Sequence, residues 1–509
     1  SKAGAQKRCP VGFVFNCFIN TVAPKSMLVV YGLRLALAAA VANAGHISEA
    51  SLAHFVEEYA ALGPSHLTGS HTDAATSQWI FDELRGGGLE VQYQSYTLPG
   101  PRLWMPKDEG ASSNYGCHLL VDSTEVPCYV VHQPPLHPQP LHDVPMERIL
   151  VVSFVEAIYI FKAEDIYRSF LRPDGTLPYD AVILINGQTG NITEPQPVNW
   201  DHKQVAPSIV PVVTVGWGFQ SLLHNARRLT SLILFGQHRA QESRNVLAQL
   251  FPQNSECQTF GPEPIPLYIG TPINGFFHAA GERGAGIALL LAIAKEWAMD
   301  PPCNGSCLQF APIFAFTSGH EQRDPGISNG TIPFLRQLAS SQNRSLNEVP
   351  FISIGAHLGG FANFKGQNFD GPGTGIDPVV IRTSSGSGRS SAMLDKVLLK
   401  LAHLAFVQLE AGEMNVSNQV GAVQQALLAG MPAMNLVGQN LSHRFHLPSD
   451  ADSTSINFTT LLALTQGMSQ ALRTTVCRPS AFFGAMSGHA LIFPFLNPFV
   501  TLLALGFHS

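Results

Sequence analysis

Charged side chains are scarce in this sequence. Of its 509 residues, 13 % are Asp, Glu, Lys or Arg, and the formal net charge is −6. The Lys and Arg residues are scattered and form no arginine-rich stripe, which argues against the basic surface that nucleic-acid binding requires. Hydrophobic residues make up 45 % of the chain, enough for a large buried core and far from the composition of disordered proteins.

Motifs of several common enzyme and metal-site classes are also missing. There is no G-x-S-x-G segment, so the sequence lacks the nucleophile elbow of α/β-hydrolases. The glycine-rich stretch TPINGFFHAAGERGAG contains G-x-x-G-x-G, which matches neither the dinucleotide fingerprint nor the P-loop. No paired CxxC is present, which argues against a structural zinc of the finger or ribbon type.

The beginning of the sequence indicates the compartment. From Met27 it reads MLVVYGLRLALAAAVANAGH, a short apolar run that ends in a small-x-small pattern at Ala42-Asn43-Ala44. This pattern predicts a secretory signal peptide, with 1–44 as upstream sequence and signal; a buried helix or a single anchor helix is the alternative. Asn-x-Ser/Thr triplets recur along the chain and agree with a secreted glycoprotein; they begin at Asn191, Asn304, Asn329, Asn343, Asn415, Asn440 and Asn457.

Cysteines support the same compartment. Six of the eight follow the predicted cleavage point, and in an oxidising compartment they are expected to form disulfides, with Cys303 and Cys307 as a local pair. At the other end, 481–507 contains no Asp, Glu, Lys or Arg but includes Pro494 and Pro498. A lipid-anchor signal, a broken membrane segment and a mispredicted exon are all open interpretations of this stretch.

The order of apolar runs predicts an α/β fold. Strands without polar alternation, separated by helices, are typical of a mostly parallel mixed sheet sandwiched by helices. Short strand-like runs between them predict an inserted small β-rich module, and the pattern at 391–409 predicts one long helix. The predicted division is 45–125 and 243–476 for the main domain, 126–242 for the insert and 477–509 for the apolar tail.

Titratable side chains follow four successive strands of this sheet. Because ligands bind at the carboxyl ends of strands in open α/β sheets, these side chains are expected to gather at one edge. They are His278, Glu282 and Arg283 after PLYIG, His320 and Glu321 after FAFTSG, His357 after FISIGA, and His443, His446, Asp450 and Asp452 after MNLVGQN. Singly each signal is weak, but their shared position predicts metal binding or proton transfer.

The order of these segments resembles peptidase family M28, the group of zinc aminopeptidases and glutaminyl cyclases that also has non-catalytic transferrin-receptor relatives. RNVLAQL, GERGAGIALLLAIAKEW, FAFTSGHE and ISIGAHLG resemble the family's NVIAEI, GADDNASGVAALLELARAL, FVFFGAEE and INLDMIG. AGMPAMNLVG followed by FHLPSDAD resembles GIPAI followed by YHTPADT. The resemblance covers 51–472 and implies a zinc-exopeptidase-like fold, with a protease-associated domain as the insert.

The resemblance implies a metal site with altered ligand positions. Family members hold two zinc ions through five ligands, including a bridging carboxylate, and a glutamate activates the shared water. The family's first histidine falls within 271–274, which reads TPIN, so this ligand is missing. The bridging aspartate falls on Gly281, and Glu282 replaces it only if the loop shifts. The catalytic glutamate falls on His320, whose imidazole is expected to act as the base.

The other positions are kept or exchanged. Glu321 and His446 match family ligands, and His357 replaces an aspartate but is still a zinc ligand by type. Asp450 matches the aspartate that follows the last histidine, and it is expected to contact substrate together with Arg283. An arginine that projects into the pocket would repel a cation and favour a carboxylate ligand instead.

Three functions fit these residues. The first is a secreted aminopeptidase-type hydrolase with at most one zinc, acting on peptides or aminoacyl compounds. The second is a catalytically inactive binding or receptor module on the same fold. The third is a metal-free hydrolase with His320 as base, for which Ser387 in a flexible loop is a poor nucleophile candidate. No nucleic-acid partner is expected, and membrane association is expected only if the apolar tail is an anchor signal.

Overall fold

The protein was analysed as a computed structural model. It describes 47–97, 103–106, 116–130, 135, 137–153, 172–186, 193–195, 197, 210–239, 242–250, 263–303, 307–320, 331, 334–335, 337, 345–360, 378–384, 388–404, 407–409, 414, 421–439 and 447–478. The predictions of a signal peptide and of an apolar tail after Arg478 lie outside these residues.

Helices and strands alternate along the described part of the chain. The helices are α1 (Glu49–Ala61), α2 (His71–Gly86), α3 (Gln220–Asn225), α4 (Ala285–Met299), α5 (Arg389–Leu401), α6 (Ala422–Leu428) and α7 (Phe458–Val476). The strands are β1 (Glu90–Thr97), β2 (Leu103–Pro106), β3 (Cys117–Val121), β4 (Thr124–Val126), β5 (Cys128–Val130), β6 (Leu141–Pro145), β7 (Ile149–Ser153), β8 (Ala181–Asn186), β9 (Val212–Gly216), β10 (Arg228–Leu234), β11 (Gly236–Arg239), β12 (Glu242–Gln249), β13 (Ile265–Pro272), β14 (Phe310–Thr317), β15 (Phe351–Ile354), β16 (Val379–Thr383), β17 (Val407–Leu409) and β18 (Ala433–Gly438). None of these helices has both the length and the apolarity needed to cross a bilayer.

An eight-stranded sheet forms the centre of the fold, in the order β1-β12-β14-β13-β15-β18-β16-β17. Its four middle strands are all parallel: β13 pairs with β14 and β15, and β15 pairs with β18. Antiparallel pairing occurs further out, between β1 and β12, β12 and β14, and β16 and β18. The predicted mostly parallel mixed sheet is therefore confirmed.

Helices cover both faces of this sheet, as the unbroken apolar runs of its strands require. One face packs on α1, α2, α4, α5 and α7 in the largest apolar cluster, and the other packs on α6. Adjacent strand residues alternate between the two, so Leu267 and Ile269 face the first cluster and Tyr268 the second. Helix α4 is apolar almost all round, and its Trp297 is fully buried with the indole N–H donated to Ser469 Oγ over 2.9 Å.

A second unit contains two four-stranded sheets, β4-β3-β10-β6 and β5-β9-β8-β7. Both contribute to one apolar core, in which Leu119 of the first sheet and Ile183 and Val213 of the second are fully buried. The predicted small β-rich module therefore exists as a packed unit. Strand β3 shares this core although it precedes residue 126; the predicted boundaries stay a prediction.

The long helix predicted over 391–409 is wrong in its second half. Helix α5 ends at Leu401, and Val407–Leu409 forms the edge strand β17, which pairs in parallel with β16. Apolar residues at helical spacing continue through this stretch, but pairing with the neighbouring strand overrides the local pattern.

The predicted Cys303–Cys307 pair is also wrong. Cys303 is bonded to Cys477, with a Cα–Cα distance of 5.4 Å, and Cys117 is bonded to Cys128; Cys307 belongs to another disulfide. The reason is the packing of α4 against α7. Cys303 and Cys477 each follow the carboxyl end of one of these helices, so tertiary contact brings together cysteines that are 174 residues apart in sequence.

Removing this disulfide is expected to destabilise the protein. Cys477→Ser should lower the free energy of unfolding by about 2–4 kcal/mol, because a crosslink over a long loop restricts the unfolded chain. Denaturant titration followed by circular dichroism measures the change. The double variant Cys303→Ser/Cys477→Ser should cost no more than the single variant, since both remove the same bond; additive losses would contradict the pairing.

Candidate functional site

The carboxyl ends of β14, β13, β15 and β18 lie side by side, because these strands are adjacent and parallel. They are the same strands after which the sequence places its titratable residues. The candidate site is therefore this edge of the sheet, together with the first turn of α4 and the loop 447–452.

The structure places the predicted site residues unequally. Glu321 and His446 lie outside the described residues, so their part in the site stays a prediction. His320 follows β14 and is partly buried, and its backbone N–H lies 3.5 Å from Asn274 Oδ1.

A π-helical turn at Ala280–Gly284 carries Glu282 and Arg283 into α4. It begins after Ala279, whose φ of 49° is in the left-handed region, and the N–H groups of Arg283 and Gly284 both donate to the Ala279 carbonyl. Such one-turn π-bulges are often found at functional sites. Here the turn directs two charged side chains into the protein interior.

Glu282 and Arg283 form a buried ion pair. Arg283 Nη2 lies 2.8 Å from Glu282 Oε1, and the side chains are 5 % and 1 % exposed, respectively. Arg283 Nε also donates to the Asn274 carbonyl over 2.7 Å. The carboxylate therefore has its charge balanced by a guanidinium of the same turn, and the guanidinium is fixed by protein groups. Substrate binding by Arg283 stays a prediction.

Asp450 binds the backbone of the same turn. Its Oδ1 accepts the N–H of Gly281 and its Oδ2 the N–H of Glu282, both over 2.9 Å, and Ser455 Oγ donates to Oδ1 over 3.3 Å. This caps the free N–H groups at the start of α4 with a side chain from a distant loop. Burial nevertheless raises the pKa of the Asp450 carboxyl to about 7. Its predicted contact with substrate is untested, and its observed partners are all protein groups.

The space beside Gly281 is filled. A Cβ at this position would lie 2.5 Å from Ser455 Oγ and 2.9 Å from Asp450 Oδ1, closer than Cβ atoms approach other atoms in real proteins. Any side chain at Gly281 would therefore require the Ser455 and Asp450 side chains to move, and Asp450 is held by two backbone N–H groups.

His357 lies at the end of β15, next to the ion pair. It is 1 % exposed, has a φ of 57° and donates its backbone N–H to the Glu282 carbonyl over 3.3 Å. A left-handed conformation is uncommon outside glycine, and it marks a position that its surroundings constrain. Of the predicted ligands in the described part of the chain, His357 and Glu282 are therefore brought together.

Sequence reasoning missed the most connected carboxylate of the region, Asp73 in α2. It is 2 % exposed, and its oxygens accept bonds from Gly69 N–H, Asn274 Nδ2, and the hydroxyls of Ser243 and Ser318, at distances of 2.7–3.0 Å. Burial raises the pKa of the Asp73 carboxyl, while these bonds act in the opposite direction.

Asn274 connects the Asp73 network to the ion pair. It belongs to the segment 271–274, in which the resemblance places the missing first histidine. Its Nδ2 donates to Asp73 Oδ1 and to the His66 carbonyl, and its Oδ1 accepts the N–H of Gly319 over 2.6 Å. For Asp73, the only local signal in the sequence was a serine three residues earlier, Ser70, which is the spacing of a helix cap. In the structure Ser70 Oγ does accept the Asp73 N–H.

His66 lies beneath this network as a neutral imidazole. It is fully buried and stacks on Tyr59 with ring centroids 4.0 Å apart. The Thr76 hydroxyl donates to the Thr72 carbonyl and is 3.0 Å from His66 Nδ1, so His66 Nδ1–H is the donor in that pair. Burial, followed by the nearby His278, lowers the pKa of His66 to about 3.

The contribution of His66 to stability should depend on pH. Between about pH 6.5 and 3 the unfolded imidazole binds a proton and the native one does not, so its contribution is complete above pH 6.5 and falls as the pH decreases. The stability advantage of wild type over His66→Asn should shrink by about 2 kcal/mol between pH 7.5 and pH 5. Urea unfolding at both pH values measures it, and a pH-independent difference would contradict the assignment.

Comparisons with known proteins support the fold. No family model and no curated protein sequence matches the chain. The structure of a zinc aminopeptidase from Bacillus subtilis matches with a TM-score of 0.59 and 13 % identity, over 85 % of this chain and 96 % of that one. A peptidase M28 precursor from Shewanella amazonensis matches with a TM-score of 0.56 and 16 % identity, over 86 % of this chain and 96 % of that one. An aminopeptidase from an Aneurinibacillus strain matches with a TM-score of 0.52 and 13 % identity, over 86 % of this chain and 95 % of that one.

These similarities define the class of fold: an α/β sheet sandwich of the zinc-exopeptidase type, with additional small sheets. The sequence identities are too low to transfer an activity, since one fold supports different functions. The site residues therefore decide what can be proposed.

The described residues do not fit a two-zinc centre. No group of three or more His, Cys, Asp or Glu side chains in the described part of the chain is arranged to hold a metal ion. The carboxylate of Glu282 is neutralised by Arg283, that of Asp450 is bound to two backbone N–H groups, and Gly281 has no room for a side chain.

Proposed function

We propose that this protein is a secreted, catalytically inactive member of the peptidase-fold class that binds peptides or aminoacyl compounds. The observation that carries the proposal is the filled space beside Gly281. This is the position of the bridging carboxylate in the resemblance to family M28, and Asp450 and Ser455 take up the space that a side chain would need. A two-zinc hydrolase needs a bridging carboxylate at this position, and the space for it is occupied.

The same edge of the sheet supports ligand binding. Buried polar and charged side chains gather there, among them Glu282, His357 and Asp450. Peptide ligands are proposed because the structures with the same fold are aminopeptidases, and α/β sheets bind ligands at this edge. The Cys117–Cys128 and Cys303–Cys477 disulfides fit an oxidising compartment. The two four-stranded sheets fit the proposed protease-associated insert at 126–242, although β3 lies before residue 126.

A hydrolase with at most one zinc is the second candidate. In it Glu321 and His446, with His357 or Glu282, would be the ligands, and His320 the base. The observation in its favour is the position of His357, whose backbone is bonded to that of Glu282 at the shared edge. If a zinc ion were bound, it would supply a water of lowered pKa.

Binding and turnover distinguish the candidates. The purified secreted protein should retain peptides from a mixture with free N-termini, and it should release no product from fluorogenic aminoacyl amides, with or without added zinc. Zinc-dependent release that is lost in Glu321→Ala and His446→Ala would overturn the proposal in favour of the hydrolase. No peptide retention would remove the binding role.

A further inference from the structure

We infer that the Arg283 guanidinium is the resident cation of this site, and that the turn carrying Glu282 and Arg283 joins the strand ends that a metal ion would otherwise join. The inference rests on the proposed function, since it explains how the edge stays ordered without zinc. It concerns Arg283, Glu282 and the backbone groups around them.

Arg283 connects two of the four strand ends. Its Nε donates to the carbonyl of Asn274, in the loop after β13. The side chain of Asn274 in turn accepts the N–H of Gly319, which follows β14. One guanidinium therefore fixes the β13 loop directly and the β14 loop through a single amide.

The backbone of Glu282 connects the other two strand ends, those of β15 and β18. Its carbonyl accepts the backbone N–H of His357 after β15, and its N–H donates to Asp450 in the loop after β18. Glu282 and Arg283 are consecutive residues of one turn, and the 2.8 Å ion pair between their side chains lies within it. These are the four strand ends from which the sequence suggests zinc ligands, and here they are joined by the Arg283 side chain and the Glu282 backbone.

The charges of Glu282 and Arg283 balance each other. The pair has no net charge, and both side chains are almost inaccessible to solvent. A divalent cation next to Glu282 would have to displace or approach the guanidinium, which opposes its binding. The pair also resists loss of one partner, because a single buried charge without compensation is strongly unfavourable.

Thermal unfolding of the full-length protein tests the inference. The transition temperature of wild type should be the same after dialysis against EDTA and after addition of zinc. Arg283→Met should lower it by about 5 °C or more, because Glu282 is left buried and unpaired. The transition temperature of Arg283→Lys should lie between those of wild type and Arg283→Met. An ammonium that contacts Glu282 has no second nitrogen that can also donate to the Asn274 carbonyl.

Two controls separate this effect from general damage. Arg148→Met breaks the 2.6 Å ion pair with Asp180 on an exposed surface, where Arg148 is 60 % exposed, and should shift the transition by no more than about 2 °C. Glu282→Gln/Arg283→Met should recover part of the loss of Arg283→Met, because no charge remains buried.

A fall in the wild-type transition temperature on chelation would overturn the inference, and so would an Arg283→Met variant as stable as wild type. Peptide retention by wild type is measured separately. If it fails while the unfolding results hold, the proposed binding function is wrong and the resident cation stands.

Discussion

Replacing Asp73 by alanine is expected to destabilise the protein by about 3–5 kcal/mol. The carboxylate accepts bonds from four neighbours in a fully buried place, and three of them, Ser243, Asn274 and Ser318, come from β12 and from the loops after β13 and β14. Without it the amide of Asn274 and the N–H of Gly69 lose a partner. The two hydroxyls recover part of the loss through their mutual 2.6 Å contact.

The measurement is the free energy of unfolding in urea. Asp82→Ala is the matched control, since Asp82 lies in the same helix and its bond to Gln78 is exposed; it should cost less than about 0.5 kcal/mol. Asp73→Asn should also be strongly destabilised, because an amide NH2 group would replace one carboxylate oxygen and would face groups that donate to that oxygen. Equal stability of Asp73→Ala and Asp82→Ala would contradict the described network.

Gly281→Asp, which restores the carboxylate expected from the resemblance, should destabilise the protein by about 3 kcal/mol or more. Its Cβ would meet Ser455 Oγ at 2.5 Å, and the new carboxylate would lie against that of Asp450. Gly281→Ala should already cost more than an ordinary surface substitution, because the Cβ alone causes the overlap. Neither variant should gain bound zinc.

Gly86 offers the matched control for these variants. It is the last residue of α2, and a Cβ there would meet nothing within 4 Å. Gly86→Ala should be neutral or slightly stabilising, and Gly86→Asp should cost about 0.5 kcal/mol through the helix dipole. A Gly281→Asp variant that is as stable as Gly86→Asp and binds zinc would show that the loop moves readily and the site accepts a metal.

Much of the fold could be predicted from the sequence because its signals are local. Apolar runs such as FAPIFAFT and the largely apolar helix α4 define a sheet buried on both faces. The end of α5 and the partner of Cys303 could not be predicted, because both depend on neighbours distant in sequence. Strand β17 forms only where β16 is present, and Cys303 meets Cys477 only because α4 packs on α7.

The sequence indicated where a candidate site lies in the fold, but not which bonds its residues form. The rule that sites form at carboxyl strand ends pointed to the edge where Glu282 and His357 meet, and the functional role of that edge stays a prediction. It did not show that Arg283 pairs with Glu282, since adjacent residues of a regular helix point in different directions and only the π-turn brings them together. Asp73 was missed because its partners come from three other segments, and a single carboxylate on an amphipathic helix is most often a solvated residue.

The most direct test of the account is the zinc content of the purified wild-type protein, determined by mass spectrometry of the metal after equilibration with zinc and removal of the excess. A resident guanidinium and a filled Gly281 position predict far less than one zinc per chain. One or more zinc ions per chain, lost in Glu321→Ala and His446→Ala, would contradict the account and establish a metal site at this edge of the sheet.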